Sequence, residues 1–221
     1  MENWIIIWEA RSIFISGFMT TVEIFLSSSF IALIIGLCLL YFLENSNKNW
    51  QKLIMLFVSG MRTVPFLIFA YLLYYGLPQF GIRLDGYVAG LIGLSLYHGA
   101  YFCEIFLSRR RVIANGLIEA ALAHGFKKKI LFVRMILPNT VMNALPLICN
   151  QLINCLKDSA FLSILTVEEI TFAANNVQSI HYIPLTAFVF AIVLYWGLTL
   201  TLELVMNKLM KIGNQKGFNH A

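Results

Sequence analysis

Between Arg11 and Glu44 the chain carries a single charged side chain, Glu23, in a run of apolar and small residues. At ~1.5 Å of rise per residue, a helix over that run is long enough to cross a hydrocarbon core of ~30 Å. Similar apolar runs recur along the chain, separated by short charged clusters, which is how bilayer spans are written. Composition agrees: 59% of the 221 residues are hydrophobic and 12% charged, where soluble domains carry roughly 25% charged residues. Mean hydropathy is +0.78. These values exclude an ordinary soluble globular domain and make lipid the main solvent of the chain.

The runs predict an all-α membrane protein of about five transmembrane helices. The spans fall near 17–43, 53–77, 87–107, 138–157 and 184–206, after a short N-terminal extracytoplasmic segment, 1–16, and before a basic tail, 208–221. Between spans three and four lies a polar loop, 108–137. Pro78 to Gly86 reads as a turn-rich connection. The mixed stretch from Lys157 to Ile183 reads as a re-entrant or surface helical segment.

Lys and Arg set the orientation. Lys48, Lys52, Arg109, Arg110, Arg111, Lys127, Lys128, Lys129 and Arg134 fall in the loops after spans one and three, and Lys208, Lys211 and Lys216 in the tail. The other side has only Arg11 and Arg83. The positive-inside rule then predicts an outside N-terminus and a cytoplasmic tail. The formal charge of +5 serves this orientation, and no basic stretch interleaved with aromatics calls for nucleic acid. Trp4, Trp8 and Trp50 near span ends suit interfacial anchoring. Cys38, Cys103, Cys149 and Cys155 lie in apolar segments without metal or CxxC spacing and read as packing residues. The first residues lack a basic region and a long apolar core, so no cleaved signal is expected.

In the polar loop the spacing predicts a short helix from Asn115, which caps its start, to Gly125, which ends it. Leu117, Ile118, Ala121 and Leu122 form its apolar face. A second segment runs from Phe126 to Leu137 and is stopped by Pro138. Composition alone would let the helix rest on the lipid surface, whereas its compactness suits the groove of a partner.

The pattern Glu119-Ala120-Ala121, three residues, Gly125, nine residues, Met135, one residue, Leu137-Pro138 resembles the EAA loop of binding-protein-dependent ABC importer permeases. It departs only where Met135 replaces an isoleucine. Three further segments are similar to the polar amino-acid branch of that family: Met61-Arg-Thr-Val-Pro65, Ala100-Tyr-Phe-Cys-Glu104 and Leu156-Lys-Asp-Ser-Ala160. The resemblance covers roughly Gly17 to Met206 and implies a type I importer transmembrane domain. It implies as partners two ATPase subunits, a second permease subunit and a periplasmic or surface solute-binding protein. Glu119, Ala120, Ala121, Gly125, Leu137 and Pro138 would then couple this chain to the ATPase. The 221 residues contain no GxxxxGK[ST] loop, so no cofactor is expected on this chain, and ATP and magnesium belong to the partner ATPase. The expected role is transport, not catalysis.

Ionisable groups at membrane depth cost at least ~2.5 kcal/mol on insertion scales and mark partners or water-filled paths. Arg62, Glu104, Lys157 and Asp158 stand at that level, with Glu23 a weaker case. Tyr101, three residues before Glu104, shares its helix face. Together these residues are the substrate-path candidates, because a zwitterionic amino acid needs both a cationic and an anionic group. The structural alternative pairs Lys157 with Asp158 at a helix end and lets Arg62 snorkel to the interface. His98, His124, His181 and His220 form no cluster at ligand spacing, and no metal is expected.

Glu168, Glu169, Asn175 and Asn176 lie on the outer side, where they either meet the solute-binding protein or are solvated loop residues. Gly90, Gly93 and Ser27 to Ser29 supply small-residue faces for helix packing or for a subunit interface. Two rival classes remain open on the residues alone. One is an ion-coupled secondary carrier, which also uses intramembrane carboxylates; the other is a membrane enzyme, for which no nucleophile stands beside a base.

Overall fold

A computed structural model describes residues 2–215. Within them the regular structure is helical throughout: α1 (Glu2–Glu9), α2 (Arg11–Asn45), α3 (Lys48–Thr63), α4 (Phe66–Tyr71), α5 (Gly86–Arg110), α6 (Asn115–Ala123), α7 (Lys128–Leu131), α8 (Leu137–Asp158), α9 (Ile170–His181) and α10 (Pro184–Gln215). Four helical stretches are long and apolar enough to cross a membrane, and a bent pair makes a fifth if its two halves count as one span. The expected number of spans therefore stands, while several boundaries change.

The second span is broken. Helix α3 and the stretch Phe66–Phe80 meet at 105°. The cause is local: the ring of Pro65 disfavours helical backbone at the residue before it, and Val64 is extended, with φ −83° and ψ 134°. Beyond the bend the chain continues from α4 through a wide π turn, Leu72–Gly76, and a 3-10 turn, Leu77–Phe80.

The fourth span begins earlier than Pro138. Helix runs without interruption from Lys128 to Leu165, so the expectation that Pro138 stops the preceding segment is corrected. A π turn, Phe132–Ile136, lies directly before Leu137 and Pro138. Proline in a helix lacks an N–H and pushes its ring against the preceding turn, and a wider turn at that place removes the conflict. The first span likewise begins at Arg11, inside the segment expected to precede it, and Ile7 of α1 and the following Ala10 are buried in one cluster with Ala187 and Ala191 of α10. At the other end α10 extends to Gln215. The remainder of the basic tail, with Lys216 and His220, lies outside the described residues.

Packing rests on small residues. Helices α2 and α5 cross so closely that a Cβ on Gly36 would stand 2.6 Å from the Cβ of Phe102 and 3.0 Å from the backbone N of Cys103. One on Gly99 would meet Ile35 at 2.7 Å. Ser28 and Ser29 are buried, with their hydroxyls 3.7 and 3.6 Å from the Cys155 sulfur on α8. Gly90 lies against Leu162 and Gly93 against Leu73 and Phe66. These small faces are thus used inside this chain, which corrects the reading of them as a subunit interface. The four cysteines are free thiols, three of them buried. Large apolar side chains such as Phe30, Leu56 and Ile192 point outward, as lipid-facing residues do.

Candidate functional site: a charged intramembrane cavity and an exposed loop helix

Three elements bring polar side chains to one level in the bundle. The last turn of α3, ahead of the Val64–Pro65 break, supplies Arg62. Helix α5 supplies Tyr97, His98, Tyr101 and Glu104, and α8 supplies Gln151, Asn154, Lys157 and Asp158. Arg62 Nη1 lies 3.2 Å from Glu104 Oε2, and its guanidinium stands 5.8 Å from the centre of the Tyr101 ring. The Tyr101 hydroxyl donates to the Arg62 carbonyl at 3.4 Å. Next to this group is a cavity of about 200 Å³ lined by Tyr97, His98, Tyr101, Gln151, Asn154, Lys157 and Asp158.

The five substrate-path candidates are therefore neighbours, but not with the partners expected. Arg62 does not snorkel away; it pairs with Glu104. Asp158 does not pair with Lys157; its Oδ2 is 3.4 Å from Nε2 of His98. The other ring nitrogen of His98, Nδ1, is 2.7 Å from the Gln151 amide nitrogen. Among the described residues, Lys157 has no carboxylate within ion-pair distance. Glu23, the weaker candidate, stands apart and accepts a hydrogen bond from Tyr87 at 3.1 Å.

Tyr97, Gln151 and Asn154 are the residues that sequence reading missed, and His98 was named there only as a histidine without ligand spacing. Their signal was periodicity. Positions 98 and 101 on one helix, and 151, 154 and 158 on another, follow the i, i+3, i+7 rule for a shared face. No two-letter motif marks such a stripe.

On the loop, Ala114 occupies the cap position of α6 without a side-chain cap bond, so Asn115 is the first helical residue and not its cap. The other end is as expected. Gly125 has φ +83°, its N–H bonds to the Leu122 carbonyl, and the Phe126 N–H reaches back to Ala121. This is a Schellman ending, which places glycine where other residues are strained. Ile118 and Ala121 turn inward, toward Phe132 and Ile136, whereas Glu119, Ala120 and Ala123 are exposed. The apolar face read from the sequence is thus partly spent on this chain's own core, Ala121 included. Leu137 and Pro138 lie in the helix behind, at the start of α8. Just above α6, Arg110 at the end of α5 pairs with Glu44 at the end of α2, at 3.0 Å.

Residues 28–211 match the family described as binding-protein-dependent transport system inner membrane component. The chain belongs to that family. Among its relatives is a probable glutamine ABC transporter permease, GlnM, of Bacillus subtilis (strain 168), 28% identical over 95% of this chain and 97% of that protein. A probable amino-acid ABC transporter permease, PatM, of Vibrio harveyi is 33% identical over 70% of this chain and 71% of that one. A crystal structure of an amino acid ABC transporter with histidines superposes with a TM-score of 0.84 at 26% identity, over 93% of this chain and 96% of that chain. An inward-facing MetNI methionine ABC transporter agrees in fold, with a TM-score of 0.76 at 17% identity over 92% and 97%. The permease fold is thus that of the ABC importer transmembrane domain.

Proposed function

We propose that this permease is the membrane-spanning subunit of an importer that carries polar amino acids into a bacterial cell by ATP-driven alternating access. The observation that carries the reading is the union of two features in one chain. One is a cavity of about 200 Å³ among the spans with unlike charges, Lys157 and Asp158, in its wall. The other is a short loop helix, α6, that leaves Glu119, Ala120 and Ala123 exposed. Small side chains allow a partner to approach closely, and Glu119 adds a charge to be met. The cavity supplies both signs that a zwitterion requires.

In this reading α6 seats in an ATPase subunit, ATP and magnesium bind there, and closure of the ATPase pair moves this permease against a second one. A solute-binding protein delivers the amino acid from outside, where the N-terminus lies; α6 and the C-terminus are cytoplasmic. Two variants test the coupling. Glu119→Lys reverses the exposed charge, and Gly125→Val forces a branched side chain into left-handed backbone, at about 1–2 kcal/mol. Both are expected to assemble in the membrane at normal levels yet lose ATP-dependent uptake in proteoliposomes. Wild-type uptake in both would remove α6 from the coupling path. A secondary carrier would instead move substrate without an ATPase, following an ion gradient.

A further inference from the structure

We infer that Arg62 and Glu104 form a gate: their contact closes the loop-facing side of the cavity, and it parts when α3 swings about the Val64–Pro65 break. This rests on the importer reading above and deepens it, because it names the side chains that separate when access passes to the side of α6.

The order of residues along α5 places the pair. Tyr97, His98 and Tyr101 line the cavity, Glu104 follows one turn later in the direction of Arg110, and the loop with α6 comes next. Arg62 reaches across from α3, with its Nη1 3.2 Å from Glu104 Oε2. Tyr101 belongs to both places. It lines the cavity, its hydroxyl donates to the Arg62 carbonyl, and its ring lies 5.8 Å from the guanidinium. A solute leaving the cavity along α5 toward α6 therefore meets the Arg62–Glu104 contact first.

The surroundings of the pair suit a contact that is made and broken. The side chains of Arg62 and Glu104 are 42% and 25% exposed. Among the described residues no second cation or carboxylate stands within ion-pair distance of either. Glu169, a carboxylate that ties two helices together, is the opposite case: it is fully buried and accepts from Thr171, Phe172 and Tyr195. A partly exposed ion pair adds little net stability, because water takes up both charges when it opens. A fully buried one has no such substitute.

Helix α3 is also the element free to move. Val58 is the one buried residue along it, and it rests against two small side chains of α5, Ala100 and Cys103. Beyond Arg62 both Val64 and Pro65 are extended. The hydrogen-bond ladder of α3 ends with the Val64 N–H on the Gly60 carbonyl, and that of α4 starts at the Pro65 carbonyl. Pro65 has no N–H to carry a bond across the break. Few buried contacts mark an element that opens locally at low cost, and a few element-terminal residues are enough for a hinge. Glu104, by contrast, sits on α5 between the buried rings of Phe102 and Phe106 and stays with the bundle.

The first test reads access to the cavity without requiring transport. Asn154 lines the cavity and is exposed, so Asn154→Cys reports entry of a membrane-impermeant thiol reagent. The complex with its ATPase and second permease is labelled from the cytoplasmic side in inverted vesicles, and labelling of the protein without this substitution, whose exposed thiol is Cys38, is subtracted. Glu104→Gln and Arg62→Gln are each expected to speed labelling at least about ten-fold, since each shifts the population toward the open form. An unchanged rate in both overturns the gate. The second test links Arg62→Cys to Glu104→Cys with a short bifunctional thiosulfonate. Uptake in proteoliposomes is expected to stop when the link forms and to return when a reductant cleaves it. Uptake that continues with the link in place makes the pair a fixed tie and also overturns the gate. The importer reading fails on a separate measurement: wild-type complex, supplied with the binding protein, that shows no ATP-dependent uptake of any amino acid.

Discussion

Glu169 is fully buried, although a run of two glutamates reads as solvated loop. Its carboxylate accepts from the backbone N–H groups of Thr171 and Phe172, each at 2.8 Å, and from the Tyr195 hydroxyl at 2.5 Å. It therefore caps α9 and ties it to α10. Burial holds its carboxyl above the usual range. For an acid raised in this way the protonated native state is favoured. The stabilisation is complete below the unfolded pKa and is lost as pH rises through the folded one. The thermal midpoint of the purified complex is expected to fall across that window, and to fall less steeply in Glu169→Gln. Glu169→Ala is expected to lose about 2–4 kcal/mol, the sum of a cap and an orphaned buried partner, read as a lower midpoint. Gly36 is the second residue of this kind. Gly36→Val overpacks the α2–α5 crossing against backbone, at a cost of about 1–3 kcal/mol, and is expected to lower both membrane yield and thermal midpoint.

At the scale of elements, one proline decides where a span breaks and another is accommodated. Val64 precedes Pro65 and is extended, so α3 and α4 diverge and Arg62 is left on the α3 side of the break, facing Glu104. Pro65→Ala frees Val64 to become helical. It is expected to reduce uptake and to weaken the effect of a further Glu104→Gln change, because the Arg62 contact is then loosened; uptake rates of the two single variants and the double variant measure it. Pro138 causes no such break, since the π turn at Phe132–Ile136 absorbs it. Both prolines are equally visible in the sequence. Their outcomes differ because Val64 takes extended backbone while the turn before Pro138 widens, and packing of the neighbouring helices chooses between those responses.

Over the whole molecule, α5 and α8 connect a small cavity among the spans to the exposed loop helix α6, and the Glu44–Arg110 pair links the ends of α2 and α5 next to the loop. A cysteine placed at Asn115 is expected to react with a membrane-impermeant thiol reagent only from the cytoplasmic side, and one at Gln178 only from outside; labelling of intact cells and of inverted vesicles checks both. Apolar run length, the Lys and Arg bias, and the spacing from Glu119 through Pro138 were enough to read the all-α membrane class, the approximate spans and the family, because each is a property of local sequence. The ion pairs were not legible. His98 and Asp158 are far apart along the chain, as are Arg62 and Glu104, and only the crossing of α3, α5 and α8 brings them within contact. A charge at membrane depth needs a partner or a water-filled space, but which it finds is set by the angle and register at which helices pack, and that is decided in three dimensions.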